Sequence, residues 1–114
     1  MKISIAKDFS EVPAGRFVAD GEFSGERFRN EFLRPALVAA APGEKLEIDI
    51  DGTAGYGSSF LEEVFGGLVR SGFSAEDLHR RVTIVSQDPA FSMYRTAIWR
   101  YIDRAGVGER DHAA

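Results

Sequence analysis

The chain contains no cysteine, which excludes disulfide bonds and thiolate metal sites and is compatible with a reducing compartment. It also contains only two histidines, His79 and His112. A metal site would therefore have to be built mainly from carboxylates, which is unusual for zinc and other transition metals. We expect neither a metal centre nor a cofactor.

Long hydrophobic runs are absent as well. No apolar run approaches the roughly 20 residues that a membrane-spanning helix needs, and the first five residues enter a strand pattern without a signal-peptide core. The net charge is −4, from 18 acidic and 14 basic residues, whereas nucleic-acid-binding domains usually have a basic face. We expect a cytoplasmic protein that binds neither membranes nor nucleic acid.

The common catalytic motifs are missing too. Neither Ser58 nor Ser59 lies in a Gly-x-Ser-x-Gly sequence. A P-loop requires Gly-Lys-Ser/Thr at the start of a helix, and no lysine follows Lys45. The glycine spacing also differs from the dinucleotide-binding fingerprint. We expect that the protein is not an enzyme.

What the chain does contain is an alternation of strand-like and helix-like hydrophobic patterns. Strands are expected at residues 2–6, 16–19, 45–50 and 82–85. Helices are expected after a Ser24 cap (with a restart at Pro35), over residues 59–71, in a short turn from residue 74, and from Asp88-Pro89 to Gly106. This order predicts one α/β domain over residues 1–107, with a mixed sheet of about four strands and three to four helices. Residues 108–114 are expected to form a flexible tail.

The loops that precede the helices are where a site is expected. If the strands run parallel, right-handed connections bring residues 20–24, 51–58 and 86–88 to one edge of the sheet. The most informative of these loops contains Gly52, Gly55 and Gly57 and ends in a pair of serines.

The two serines are expected to have different roles. Ser59 and Glu62 have the spacing of a capping box, so Ser59 is expected to cap the following helix. Ser58 lies one residue earlier, where its hydroxyl would be accessible beside the positive end of the helix dipole. Ser58 is therefore the main phosphorylation candidate and Ser59 the second.

An anion site is the alternative use of this loop. Its residues would be Gly55, Gly57 and Ser58, and the basic part of the same edge would come from Arg16, Ser24 and Arg27. Four nearby carboxylates would repel an unaccompanied triphosphate: Asp49, Asp51, Glu62 and Glu63. Ordinary explanations also exist, because glycines permit a tight turn and the arginines can form surface ion pairs.

Two segments carry a resemblance to a known family. Residues 46–68 resemble the block of STAS domains, the fold of anti-sigma-factor antagonists, in which a strand ending in an acidic residue leads to a serine pair and a helix. Residues 20–29 and 55–66 resemble, more closely, a STAS-like family of undefined function. Antagonists typically have Asp-Ser-Ser-Gly-Leu, whereas here Gly57 replaces the aspartate and Phe60 replaces the glycine.

The resemblance implies a bacterial signal-transduction module that acts by partner switching. Its partner would be a protein such as an anti-sigma-type ATPase kinase, and Ser58 would correspond to the regulatory serine. Docking would use the loop and the following helix, through Asp51, Tyr56, Gly57, Glu62, Glu63 and Arg70. Phosphorylation would then add charge to an acidic patch and release the partner by repulsion. The oligomeric state is not predicted.

Overall fold

The computed structural model describes the backbone of residues 1–113 and the side chains of residues 1–108. Within these residues the sheet has three strands, β1 (Lys2–Ser4), β2 (Leu46–Asp49) and β3 (Val82–Val85), in the order β1-β2-β3. All neighbours are parallel, with Ile3 beside Ile48 and Ile48 beside Ile84. The predicted α/β class is confirmed, with a sheet that is fully parallel rather than mixed and one strand smaller than expected.

The strand expected at residues 16–19 is absent. Instead, Val18–Asp20 forms a 3-10 turn, because the Asp20 carboxylate accepts a hydrogen bond from the Phe17 N–H at 2.8 Å and the Asp20 N–H donates back to the Phe17 carbonyl. This local hydrogen bonding competes with strand pairing in a way that apolar alternation does not reveal.

Four helices follow the order predicted from the sequence. Helix α1 spans residues 25–39 and is α-helical at Gly25–Phe28, π-helical at Arg29–Leu33 and α-helical again at Arg34–Ala39. Helix α2 spans residues 58–70 with the same pattern, in the segments Ser58–Leu61, Glu62–Gly66 and Gly67–Arg70. Helix α3 is Ala75–Arg81 and helix α4 is Ser92–Ala113. Shorter turns lie at Ile5–Phe9, Val18–Asp20 and Pro89–Phe91.

Pro35 is accommodated within α1. Proline has no N–H to donate to the previous turn and its ring crowds the carbonyl four residues earlier. The helix widens just before it, so that the Arg34 N–H donates to the Arg29 carbonyl five residues earlier. The restart expected at Pro35 is therefore a local widening of a continuous helix.

One face of the sheet forms the floor of the core. The buried apolar residues of this face are Leu46 and Ile48 on β2, Ile50 directly after it, and Val82 and Ile84 on β3. The opposite face is exposed and polar, with Lys2, Glu47 and Thr83 side by side across the three strands. Among the described residues, no helix is long and apolar enough to cross a membrane.

Helix α4 continues past its predicted end at Gly106 and reaches Ala113. A Cβ at Gly106 would lie 2.8 Å from the Cβ of Ala75, so this glycine allows α4 to cross closely over the start of α3. It does not end the helix. The segment predicted as a flexible tail is thus helical as far as Ala113, and residue 114 lies outside the described part of the chain.

Candidate functional site

The loops at the carboxyl ends of the strands meet at one edge of the sheet, as predicted. The Ala54 N–H donates to the Glu11 carbonyl at 2.8 Å, which joins the loops that follow β1 and β2. The Asp51 carboxylate accepts from the Ser86 hydroxyl at 2.7 Å and from the Gln87 N–H at 2.6 Å, which joins the loops that follow β2 and β3. No group of three or more His, Asp or Glu side chains among residues 1–108 is placed to hold a metal ion.

Asp51 is a structural clamp between two loops rather than a free surface carboxylate. Burial raises the pKa of the Asp51 carboxyl, but hydrogen bonds from the Gln87 N–H, the Ser86 hydroxyl and the Asp88 N–H outweigh it and lower the pKa overall. The sequence placed Asp51 on the docking surface. The structure shows its carboxylate occupied by intramolecular donors.

The start of α2 differs from the capping box that the sequence predicts. The N-cap is Gly57, which provides no side-chain hydrogen bond, so Ser58 and Ser59 are the first two helical residues. The Glu62 side chain does not reach back to the helix start because it accepts from Arg16 at 2.6 Å and from Arg70 at 2.7 Å. The prediction that Ser59 caps the helix is wrong, and both serine side chains are exposed.

The backbone donors of this first turn are open as well. The first helical hydrogen bond of α2 runs from the Leu61 N–H to the Gly57 carbonyl at 3.2 Å. The N–H groups of residues 58–60 precede it, and they have no acceptor within the described part of the molecule. Two hydroxyls and three amides are therefore available at the positive end of the helix.

Tyr56 shapes the turn from within. Its side chain is buried, stacks on Phe60, and donates its hydroxyl to the Ile50 carbonyl at 2.7 Å. Burial raises the pKa of the Tyr56 phenol, so it remains a hydrogen-bond donor. The sequence placed Tyr56 on the docking surface, but its ring belongs to the core and leaves Gly57 and the serines as the exposed part of the turn.

The predicted acidic patch is neutralised by three arginines, two of which, Arg16 and Arg29, are distant in sequence. Glu63 is buried and accepts from Arg29 at 2.5 Å and from Arg16 at 3.1 Å. The half-buried Glu62 pairs with Arg16 and Arg70. Hydrogen bonds from Arg70 lower the pKa of Glu62, and those from Arg16 lower it further against an opposing effect of burial. Three arginines thus face two glutamates, and Glu63 does not lie on the exposed face expected for it.

Two glycines of α2 make room for this charge network. A Cβ at Gly67 would lie 2.3 Å from the Arg29 guanidinium, and a Cβ at Gly66 would lie 2.2 Å from the Glu62 carboxylate. The Arg29 guanidinium also donates to the Glu63 backbone carbonyl at 2.7 Å, within the π-helical turn where the regular helix ladder is interrupted. The network therefore fixes α1 against α2 just after the open first turn.

The residues expected to form the basic part of an anion site do not come together. Arg16 faces Glu62 and Glu63, whereas Arg27 pairs with Glu31 at 3.0 Å. Ser24 is fully buried as the cap of α1, where it accepts from the Arg27 N–H. Of the predicted set, Gly57 and Ser58 are exposed at the edge. Gly55, half-buried, faces the Tyr94 hydroxyl.

The family assignment follows from residues 24–90, which match the model for the STAS-like domain of unknown function (DUF4325). The chain belongs to the STAS-like family. Neither a search of curated proteins nor a search of solved structures found a match. The STAS-like region begins at the cap of α1 and ends in the turn before α4, so it includes the open start of α2 and the clamp at Asp51.

One exposed feature of the edge is not among the residues predicted from the sequence, and it precedes the matched STAS-like region. Phe17 and Val18 have exposed fractions of 49% and 60%, although they are large apolar residues. The pattern at residues 16–19 predicts a strand, which would bury one of them. Their position in a short loop between two glycines, Gly15 and Gly21, is the available signal for exposure.

Proposed function

We propose that this STAS-like domain is a non-catalytic regulatory module that binds a protein partner through the start of α2. We call this region the α2 docking surface and define it by Gly57, Ser58, Ser59, Glu62 and Arg70. The observation that supports it most strongly is the open first turn. Helices α1 and α3 and the turn before α4 are each capped by a side chain, from Ser24, Ser74 and Asp88 respectively, whereas α2 is not.

The chemistry of the surface fits a polar partner segment. Three free amides and two hydroxyls favour an acceptor such as a carboxylate or a backbone carbonyl. The nearby Glu62 and Arg70 are tied to each other at 2.7 Å, so their charges largely cancel. In keeping with the resemblance of residues 46–68 to anti-sigma-factor antagonists, the proposed partner is an ATPase of the anti-sigma kinase type.

Ser58 is the proposed switch. Phosphorylation would add a charge of about −1.5 to −2 and three acceptor oxygens at the start of a helix, where the amides and the dipole favour an anion. Since Glu62 and Glu63 are already neutralised by arginines, repulsion from an acidic patch is not the driving force that we propose. The phosphate would instead occupy the donors that the partner uses, and release follows from this competition.

The test is to incubate the purified chain with its co-purified partner and ATP, and to map the phosphorylated residues by mass spectrometry. We expect phosphate on Ser58 and weaker partner binding of the phosphorylated form. Ser58→Ala should abolish the modification, while Ser92→Ala, an exposed serine on α4, should leave it unchanged. Phosphate found only at other residues, together with unchanged binding by Ser58→Glu, would refute the switch.

A second candidate function uses the same donors for a small anion, and the open amides of residues 58–60 favour it. A thermal-shift series with nucleotides and inorganic phosphate, with and without Mg²⁺, tests it. Gly57 has φ −79° and open space around it, so Gly57→Val should fold normally while it covers the turn. A nucleotide-specific shift that Gly57→Val abolishes would support the ligand site, and no shift across the series would eliminate it.

A further inference from the structure

An exposed aromatic side chain lies in the loop that leads into α1. Among residues 1–108, Phe17 is the one aromatic residue that is exposed, and every other aromatic ring is buried or half-buried. Its neighbour Val18 is exposed as well, and we call the pair the Phe17–Val18 turn. A single exposed apolar residue needs no explanation. Two large ones in one place are typical of a contact surface, because removing their apolar area from water favours association.

The backbone of the turn is held by its own hydrogen bonds. The Phe17 N–H donates to the Asp20 carboxylate and the Val18 N–H to the Glu26 carboxylate, both at 2.8 Å. The Gly21 N–H donates to the Val18 carbonyl at 3.3 Å and closes the turn. Because the backbone is already ordered, little further conformational entropy has to be lost when a partner covers the two side chains.

Arg16 joins the turn to the α2 docking surface. It directly precedes Phe17, and its guanidinium donates to the Glu62 carboxylate at 2.6 Å. Glu62 is part of the α2 docking surface. The backbone carbonyl of Arg16 accepts from the Glu26 N–H at 2.9 Å, so the same residue also fastens the turn to α1. Consecutive Cα atoms are about 3.8 Å apart, and Phe17 therefore lies one residue from a side chain that contacts the docking surface.

A second connection runs through the start of α1. The Gly25 N–H donates to the Gly15 carbonyl at 2.9 Å, which fastens the loop of the Phe17–Val18 turn to the first residue of α1. A Cβ at Gly25 would lie 2.7 Å from the Phe60 carbonyl, and Phe60 belongs to the first turn of α2. The apolar turn and the open start of α2 are therefore neighbouring parts of one region of the edge.

We propose that the Phe17–Val18 turn is the apolar half of the α2 docking surface and inserts into an apolar pocket on the same protein partner. This inference rests on the proposed function, because it takes the start of α2 as the polar half of the contact. Specific interfaces use about 20–30 residues on each side and have an apolar core, in which aromatic residues are enriched, with a polar rim. The α2 docking surface supplies only polar groups, since Tyr56 and Phe60 are buried. Phe17 supplies the exposed ring for such a core.

The choice of occupant follows from the continuity of the two halves. A partner that covers the start of α2 with an interface of ordinary size also extends over the neighbouring Phe17–Val18 turn. The charge of Arg16, which lies between the two halves, is matched by Glu62 and Glu63. The partner is therefore expected to have an apolar pocket beside the polar acceptor that faces the open amides of α2.

Isothermal titration calorimetry of the full chain with its co-purified partner tests the inference. The turn variants are Phe17→Ser and Val18→Ser. The control is Val38→Ser, which is the same change of an exposed valine near the end of α1, at the opposite end of the sheet. All three side chains are exposed, so circular dichroism and the melting temperature should show that the variants fold. We expect Phe17→Ser to weaken binding about tenfold, Val18→Ser to weaken it several-fold, and Val38→Ser to bind as wild type does.

Ser58→Asp, measured in the same series, separates this inference from the proposed function. If Ser58→Asp weakens binding but both turn variants bind as wild type does, the inference is wrong and the α2 docking surface stands. If the turn variants weaken binding and Ser58→Asp does not, the partner uses the turn alone, and both proposals are wrong. Equal weakening by Val38→Ser, or self-association of the chain that Phe17→Ser abolishes in sedimentation velocity, would also overturn the inference. A chain that binds no partner would refute both.

Discussion

Helices α1 and α2 begin side by side at the same edge of the sheet, yet their first turns are built differently. A Cβ at Gly25 would lie 2.7 Å from the Phe60 carbonyl, which shows how closely the two starts approach. At the start of α1, Ser24 is fully buried and accepts from the Arg27 N–H at 3.2 Å. At the start of α2, Gly57 offers no side chain, and Ser58 and Ser59 are exposed. A serine beside a helix start is structural in one case and available for binding in the other.

The openness of α2 is confined to its first turn. Within the next turn, Glu62 and Glu63 connect it to Arg16 in the preceding loop and to Arg29 on α1. The helix is therefore anchored by its middle and not by a cap at its first turn. An exposed, polar turn on a fixed helix is a suitable docking surface, because little order has to be gained on binding.

Removing the anchor in the middle of α2 should cause the largest loss of stability. Glu63→Ala leaves the mostly buried Arg29 guanidinium without its carboxylate partner, although the contact to the residue 63 carbonyl remains. We expect a loss of about 3 kcal/mol in the free energy of unfolding, measured by urea denaturation. Glu47→Ala, on the exposed face of the sheet, is the control and should cost far less. A loss for Glu63→Ala as small as that of the control would mean that the network does not anchor α2.

The second largest loss of stability is expected at Asp51, which joins the loops that follow β2 and β3. Asp51→Asn removes the charge that accepts from Ser86 and Gln87, and we expect a loss of about 1.5 kcal/mol at pH 7. The folded-state pKa of Asp51 is lowered, so its contribution is present above the unfolded pKa of about 3.9 and is lost as the pH falls through the lower folded value.

Urea unfolding of wild type and Asp51→Asn between neutral pH and the acid range tests whether the contribution of Asp51 to stability falls on acidification. The difference in stability should be constant from pH 7 to about pH 5 and should shrink below about pH 4. A difference that grows on acidification would contradict the role assigned to Asp51.

Replacing a serine at each helix start should change the stability by different amounts. Ser24→Ala removes a buried cap and should cost about 1 kcal/mol. Ser59→Ala should change the stability by less than about 0.5 kcal/mol, because an exposed hydroxyl without a partner is lost. If thermal unfolding gave Ser59→Ala a cost equal to that of Ser24→Ala, Ser59 would be acting as a cap in solution.

The smallest change in stability is expected for a substitution at Gly57, which acts directly on the open first turn of α2. Gly57→Asp supplies a cap to α2 and should raise the stability by about 0.5 kcal/mol, since aspartate is a better N-cap than glycine and is favoured by the dipole. The open space around Gly57 accommodates the side chain. Because the new carboxylate would occupy the free amides, partner binding should weaken as stability rises. A variant that is more stable and binds the partner as tightly as wild type would show that the free amides of residues 58–60 take no part in docking.

The features fixed by local chemistry were predictable from the sequence. The β-branched run Val82–Val85 is a strand with the predicted bounds, and the caps at Ser24 and Asp88 are where a cap residue precedes a helical pattern. The meeting of the loops at one edge of the sheet was also predictable, from the alternation of strands and helices, since parallel strands place the helix starts together.

The features fixed by distant contacts were not predictable in this way. Ser59 and Glu62 have the spacing of a capping box, but the carboxylate binds Arg16, which is far away in the sequence. Gly106 has the position of a helix terminator, but its role is to accommodate Ala75. In each case the local pattern fitted the predicted role, but a tertiary contact determined the outcome.

The most direct test of the α2 docking surface is the affinity of the captured partner for two single-site variants, measured by isothermal titration calorimetry. Ser58→Asp places a negative charge in the open turn, and Ser92→Asp places the same charge on an exposed serine at the start of α4. We predict that Ser58→Asp weakens binding at least about tenfold, which corresponds to roughly 1.4 kcal/mol, and that Ser92→Asp binds as wild type does. Equal affinities for Ser58→Asp and the wild type would contradict the proposed docking surface.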